Sequence, residues 1–172
     1  PLTPAPYRLI HSGDVKIYEN RDALPRAFVV ADWQWQPDTA AAVTAMSAPG
    51  FDPRRKAILV GDGPAPAITG GGTAEIVTYA PERVVVRTQG EGGLLLLSDA
   101  HYPGWVATLD GAPTTLYAAD GLFRGVFVPA GEHEVVFAFR PRSFTVGAAV
   151  SLLGIAGVLI GLGMKRKRDG EA

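Results

Sequence analysis

Short apolar segments alternate with glycine- and proline-rich turns along most of the chain. There are 21 Gly and 14 Pro, and the segments between them are rich in Val, Leu, Phe and Thr, which is typical of antiparallel β-structure. In the last predicted strand, one face carries Val135, Phe137 and Phe139. One apolar face is what a sheet packed on a second sheet requires. The pattern therefore predicts a mainly β fold, an antiparallel β-sandwich. We expect its strands at about residues 15–18, 27–30, 56–60, 73–79, 82–88, 93–98, 105–109, 113–117, 122–128 and 133–140.

Two segments interrupt this strand pattern. The alanine-rich stretch at about residues 38–47 starts with Asp38, a good N-cap residue, so we expect a short helical insertion there. Residues 61–72 are rich in Gly and Pro and poor in side chains that pack, which predicts a flexible loop. With these insertions, residues 1–143 are expected to form one β-sandwich domain.

The C-terminal end of the chain is its most apolar part. Residues 144–164 carry no charged side chain, and residues 165–168 are four consecutive cations. As a helix, the apolar run would be roughly 32 Å long, close to the hydrocarbon thickness of a bilayer. A buried core helix is the alternative, but a soluble helix of this length normally has a polar face. We therefore expect a transmembrane helix, a cytoplasmic basic tail at 165–172, and an extracytoplasmic domain at 1–143 held to a cell membrane.

Small residues recur along the predicted transmembrane helix. Gly147, Gly154 and Gly161 are spaced by seven, with Ser151 and Gly157 nearby. In lipid, such residues let another helix approach closely, although glycine is common in membrane helices generally. The chain also begins without an initiator Met or a signal peptide, yet an extracytoplasmic domain must be translocated. We therefore expect other transmembrane helices in a longer parent protein.

Composition excludes several classes of function. Residues 1–143 carry 12 Lys and Arg against 15 Asp and Glu. Their sequence contains no basic stripe with interleaved aromatic residues, so it gives no indication of a nucleic-acid partner. The chain has no Cys, which excludes disulfides and thiolate metal sites. The expected partners are the lipid bilayer and other membrane helices.

The candidate chemistry is concentrated in residues 98–105. Asp99 and His101 are two positions apart and share a face in an extended chain, but no spacing identifies a further metal ligand. Tyr102 and Trp105 lie on either side of a tight Pro-Gly bend. If exposed, they are suited to stack on sugar rings; equally, Trp105 suits a place at the edge of the sandwich. No metal site is predicted.

Other positions have more than one interpretation. His133 follows a turn, where it could pair with a neighbouring carboxylate or simply lie at a strand end. Trp33 and Trp35 share a face that suits the core, a binding groove or the membrane interface. No nucleophile elbow, phosphate loop or convergent pair of carboxylates is recognisable. The sequence therefore predicts no catalytic residue and no cofactor.

Several motifs, in their order and spacing, resemble one known family. They are VKIYEN at 15–20, ALPRAF at 23–28, SDAHYPGW at 98–105, DG at 110–111, GLFRGV at 121–126, PAGEH at 129–133 and FRPRSF at 139–144. Together they resemble the C-terminal region of the YfhO-like family of multi-spanning bacterial membrane proteins. The resemblance extends along nearly the whole chain.

This resemblance implies a polytopic glycosyltransferase that transfers a sugar from a polyprenyl-phosphate carrier to a cell-envelope polymer. In such enzymes the catalytic acids lie in an early extracytoplasmic loop, which this chain does not contain, so the segment is expected to be accessory rather than catalytic. A contact with substrate and a role in fixing the fold are both open for Arg26, Trp105 and Arg124, and the two arginines would fix the fold by pairing with acidic neighbours. The residues expected to contact substrate are Asp99, His101, Tyr102, Trp105 and Arg124.

Two other functions remain open at the level of sequence. The domain suits a non-catalytic, envelope-facing β-sandwich that binds glycan or protein partners. It also suits part of a transporter-like membrane protein.

Overall fold

The computed structural model describes residues 7–63, 66 and 70–169, with side-chain surroundings up to residue 160. This part of the chain forms a mainly β fold with two helices, which confirms the predicted fold class. The elements are β1 (Tyr7–Ser12), β2 (Lys16–Asn20), β3 (Ala27–Val30), β4 (Asp32–Gln36), α1 (Thr39–Met46), β5 (Lys56–Val60), β6 (Gly72–Ala80), β7 (Arg83–Gly90), β8 (Gly93–Leu97), β9 (Trp105–Leu109), β10 (Ala112–Thr114), β11 (Tyr117–Ala119), β12 (Phe123–Val128), β13 (Gly131–Phe139) and α2 (Arg142–Asp169).

Eleven of these strands form one curled sheet. Its strand order is β10-β9-β13-β7-β6-β3-β8-β12-β11-β5-β4. Neighbours are antiparallel except β4 and β5, which pair in parallel from Asp32 with Lys56 to Gln36 with Val60. A parallel pair requires a crossover connection, and helix α1 lies in that connection. The short helical insertion therefore serves to bring β5 beside β4.

Strand β8 lies at the centre of the sheet and is buried on both faces. Leu95 and Leu97 pack in a core cluster with Val86 and Phe137. Leu94 and Leu96 face the opposite way, into a second cluster. Because successive side chains of a strand point to opposite faces, an unbroken leucine run can fill two cores. The curled sheet therefore packs on both sides of β8.

The second cluster explains the alternating tryptophans of β4. The Trp33 ring lies 4.9 Å from the Phe127 ring, and the Trp35 ring lies 5.4 Å from the Tyr117 ring, both measured between centroids. Both tryptophans pack against the second core cluster. Of the three places left open by the sequence, the structure supports the core.

Two elements at the N-terminal side differ in how well the sequence predicted them. Helix α1 begins after Asp38, whose side chain accepts a hydrogen bond of 2.8 Å from the Ala41 amide, as predicted. Strand β1 was not predicted; among the described residues it pairs only with β2, and every residue of these two strands is exposed. The predicted flexible loop at 61–72 lies partly outside the described residues, and its last residue, Gly72, begins β6.

Helix α2 carries the candidate membrane span. Its stretch Arg142–Ile160 is long and apolar enough to cross a bilayer, and none of it is buried against the rest of the described chain. A Cβ added at Gly147, Gly154 or Gly157 would meet nothing within 4 Å, and Ser151 is exposed. Packing of another helix on this face stays a prediction. The surroundings of Gly161 lie outside the described residues.

Candidate functional site

The predicted site residues lie at one end of the curled sheet, where β13 leads into α2. We call this end the helix end. Strand β8 stops two residues before Asp99, and β9 begins at Trp105 beside Phe139, the last residue of β13. The Arg140 amide donates a 2.6 Å hydrogen bond to the Gly104 carbonyl. This bond joins the start of β9 to the segment that enters α2.

A glycine is required in the bend before β9. Gly104 has φ +106°, and a Cβ there would lie 2.6 Å from the Phe139 ring. Both the positive φ and this close approach exclude larger residues. The Pro103-Gly104 pair thereby places Tyr102 beside the ring of Phe139, with centroids 5.4 Å apart.

The carboxylate of Asp99 holds together what we call the arginine–aspartate cluster, formed by Arg26, Tyr79, Asp99 and Arg124. Arg26 Nη1 donates to Asp99 Oδ1 at 2.7 Å, and Tyr79 Oη donates to the same oxygen at 3.1 Å. Arg124 Nη1 lies 3.8 Å from Oδ2. The Asp99 side chain is only 12% exposed. Ion pairs with two arginines and a hydrogen bond from the tyrosine hydroxyl therefore compensate the burial of its charge. The hydrogen bond to Asp99 raises the pKa of Arg26 above its usual value.

Arg124 is the buried cation of the cluster. Its side chain is 4% exposed, Nε donates to the Ala100 carbonyl at 3.1 Å, and Cζ lies 3.4 Å from the centroid of a Trp105 ring. Among the described residues Nη1 finds no hydrogen-bond acceptor. Burial lowers the pKa of Arg124, and the negative charge of Asp99 opposes that effect. The guanidinium is therefore held by stacking and by one backbone bond as well as by its ion pair.

The remaining predicted residues differ in exposure. Trp105 is 8% exposed and belongs to the first core cluster, whereas Tyr102 is 44% exposed. His101 is half-buried; burial first, and then the charge of Arg124, lower its pKa. All five predicted contact residues thus lie at the helix end, and Tyr102 is the accessible aromatic among them. Their role in substrate binding stays a prediction.

Sequence reasoning missed one member of the cluster. Tyr79, on β6, is 20 positions from Asp99 and is brought to it only by the strand order. Arg26, 73 positions from Asp99, was considered as a partner for an acidic neighbour but not linked to Asp99. No local motif signals either contact, since both depend on which strands become neighbours.

His133 forms an ion pair away from the helix end. Its Nδ1 lies 2.7 Å from Asp110 Oδ2, and its Nε2 lies 3.2 Å from the Ala130 carbonyl oxygen. Asp110 also accepts a 2.9 Å bond from the Glu134 amide. Because both imidazole nitrogens face acceptors, the protonated ring is favoured. The pKa of His133 is raised mainly by its bond to Asp110, and the pKa of Asp110 is lowered mainly by the Glu134 amide.

The pair predicts a defined pH dependence of stability. The contribution of His133 is complete below its ordinary pKa of 6.5 and is lost as pH rises through the higher folded-state pKa. The contribution of Asp110 is present above 3.8 and is lost as pH falls through its lower folded-state pKa. We expect the melting temperature of His133→Gln to be below that of the native chain at pH 5.5, with a smaller difference at pH 8.5. His11→Gln, on the exposed strand β1, is the control; an equal His133→Gln difference at both pH values contradicts the prediction.

One comparison with known proteins finds a similarity in the C-terminal part of the chain. Residues 72–151 match the family model described as bacterial membrane protein YfhO; this range begins at β6, includes Asp99 and Arg124, and ends within α2. No curated protein and no solved structure gives a significant match. In the described part of the chain, no three His, Asp or Glu side chains are grouped so as to hold a metal ion. As its motifs indicated, this membrane protein chain contains a YfhO-like C-terminal region.

Proposed function

We propose that this chain provides the extracytoplasmic domain and last membrane span of a glycosyltransferase that uses a lipid-linked sugar to modify cell-envelope polymers. The family match and the span-length helix support the membrane part of this proposal. The four cations at 165–168 support a cytoplasmic C-terminus, because positively charged flanks favour the inside. The segment is accessory: the catalytic acids belong to another part of the parent protein.

The position of the candidate contact residues is the observation that carries the proposal. They lie at the helix end of the sandwich, next to the residues that lead into α2. With α2 in the bilayer, this end faces the membrane surface, where the sugar of a lipid-linked donor is held. The exposed ring of Tyr102 and the 54% exposed Arg26 are the groups that this end offers to such a ligand.

A substitution at Tyr102 tests the proposal in the parent protein. We expect Tyr102→Ala to lower sugar incorporation into envelope polymer by about fivefold, the size of effect that loss of one anchoring aromatic contact produces. Tyr18→Ala is the matched control, since Tyr18 is 54% exposed but lies on the separate β1–β2 sheet. Incorporation is measured with labelled sugar at equal protein abundance. Normal incorporation by Tyr102→Ala would contradict a role for the helix end in transfer.

A second function is a non-catalytic module that binds envelope glycan or protein. Like the accessory role, it needs no base from this chain, which agrees with an Asp99 that is occupied by two arginines and a tyrosine. The intact mass of the native polypeptide ending in Gly170-Glu171-Ala172 separates the two functions. A mass several times 18.1 kDa supports a multi-spanning enzyme, and a mass near it supports the module. A transporter-like parent would move its substrate without incorporating sugar into polymer.

A further inference from the structure

A groove at the helix end lies beside the start of the membrane helix. It encloses about 450 Å³ between residues 103–106, around the start of β9, and residues 140–143, around the start of α2. We call it the junction groove. The Arg140–Gly104 backbone bond ties its two walls together, so the groove is part of the folded domain.

The junction groove carries positive charge without a matching carboxylate. Arg140 and Arg142 line it and are exposed. Among the described residues neither has an acidic partner within 4.0 Å, whereas the nearby Arg26 and Arg124 both pair with Asp99. Asp99 is thus committed to the other arginines, and the groove attracts an anion.

The position of the junction groove relative to the bilayer follows from where α2 begins. Arg142 is both the first residue of the helix and the first residue of the stretch that can cross a bilayer. Whichever way the helix crosses, Arg142 therefore lies where hydrocarbon gives way to headgroups. Trp105 lines the same groove, and tryptophan is enriched at this depth.

We propose that the junction groove binds the phosphate of an anionic phospholipid from the surrounding bilayer. Guanidinium groups match phosphate oxygens in pairs of hydrogen bonds, and two arginines at headgroup depth favour a lipid with net negative charge over a zwitterionic one. The acyl chains of that lipid would lie along the exposed apolar surface of α2. This inference requires only that α2 spans the membrane and does not depend on the glycosyltransferase proposal.

Lipid titrations of the chain in neutral detergent test this assignment. Retained lipid is counted by native mass spectrometry with phosphatidylglycerol and, separately, phosphatidylcholine. We expect phosphatidylglycerol to bind more tightly and to lose about fivefold in affinity per arginine removed, in Arg142→Gln and then in Arg140→Gln with Arg142→Gln. The control pair is Arg55→Gln with Arg87→Gln, two exposed arginines that also lack an ion pair in the described chain.

A lysine pair, Arg140→Lys with Arg142→Lys, keeps the charge but not the paired guanidinium bonds, so we expect it to bind phosphatidylglycerol more weakly than the native chain and more tightly than the glutamine pair. Equal affinity of the native chain for both lipids would overturn the assignment. So would an equal loss in the junction-groove pair and the control pair, because that result would reflect net charge alone.

Discussion

Trp105→Ala is expected to lower the free energy of unfolding by about 3–5 kcal/mol, as for other large aromatic residues removed from a core. Trp105 is 8% exposed, its ring centroid lies 5.5 Å from that of Phe139, and the Arg124 guanidinium covers one face at 3.4 Å. The substitution therefore removes packing from two strands and leaves a buried cation beside a cavity. Urea unfolding of the chain in detergent micelles, followed by far-ultraviolet circular dichroism, measures the loss.

Tyr102→Ala is the matched control for Trp105→Ala. Tyr102 belongs to the same aromatic group but is 44% exposed, so we expect a loss below about 1.5 kcal/mol. Equal losses in the two variants would contradict the view that Trp105 is a core residue. The comparison also bears on function, since reduced activity of Trp105→Ala would reflect a destabilised domain, whereas reduced activity of Tyr102→Ala would reflect a lost surface contact.

Arg124→Ala is expected to lower the free energy of unfolding by about 2–4 kcal/mol. The substitution removes the cation stacked on Trp105 and the donor to the Ala100 carbonyl. It also leaves Asp99, which is 12% exposed, with one arginine instead of two. The same urea unfolding experiment measures this change.

Arg26→Ala tests whether the burial of an arginine or its distance from Asp99 determines how much it contributes to the free energy of unfolding. Arg26 makes the shorter contact to Asp99, at 2.7 Å against 3.8 Å for Arg124. It is nevertheless 54% exposed, and exposed ion pairs contribute little to stability because water screens them. We therefore expect Arg26→Ala to cost much less than Arg124→Ala. The reverse order would mean that the shorter contact, and not the buried one, holds Asp99 in place.

Most strands of the fold were predictable because their signals are local. The strands around Ile58, Val86 and Phe137 follow from apolar residues between turn residues, and helix α1 follows from its N-cap at Asp38. The predicted strand at 113–117 was wrong in its bounds. The structure has β10 ending at Thr114 and β11 beginning at Tyr117, and these two strands lie at different places in the sheet. A short irregular connection between two three-residue strands leaves little periodicity to detect.

The sequence by itself determined the β-rich class, the short helix and the apolar C-terminal helix, because each depends on residues close together in the chain. It also marked residues 98–105 as the segment richest in candidate chemistry. Only the tertiary structure decided that Arg26 and Tyr79 meet Asp99, and that this cluster lies where the chain enters α2. Those contacts join residues 73 and 20 positions apart. They depend on the order of strands in the curled sheet, which short-range periodicity does not encode.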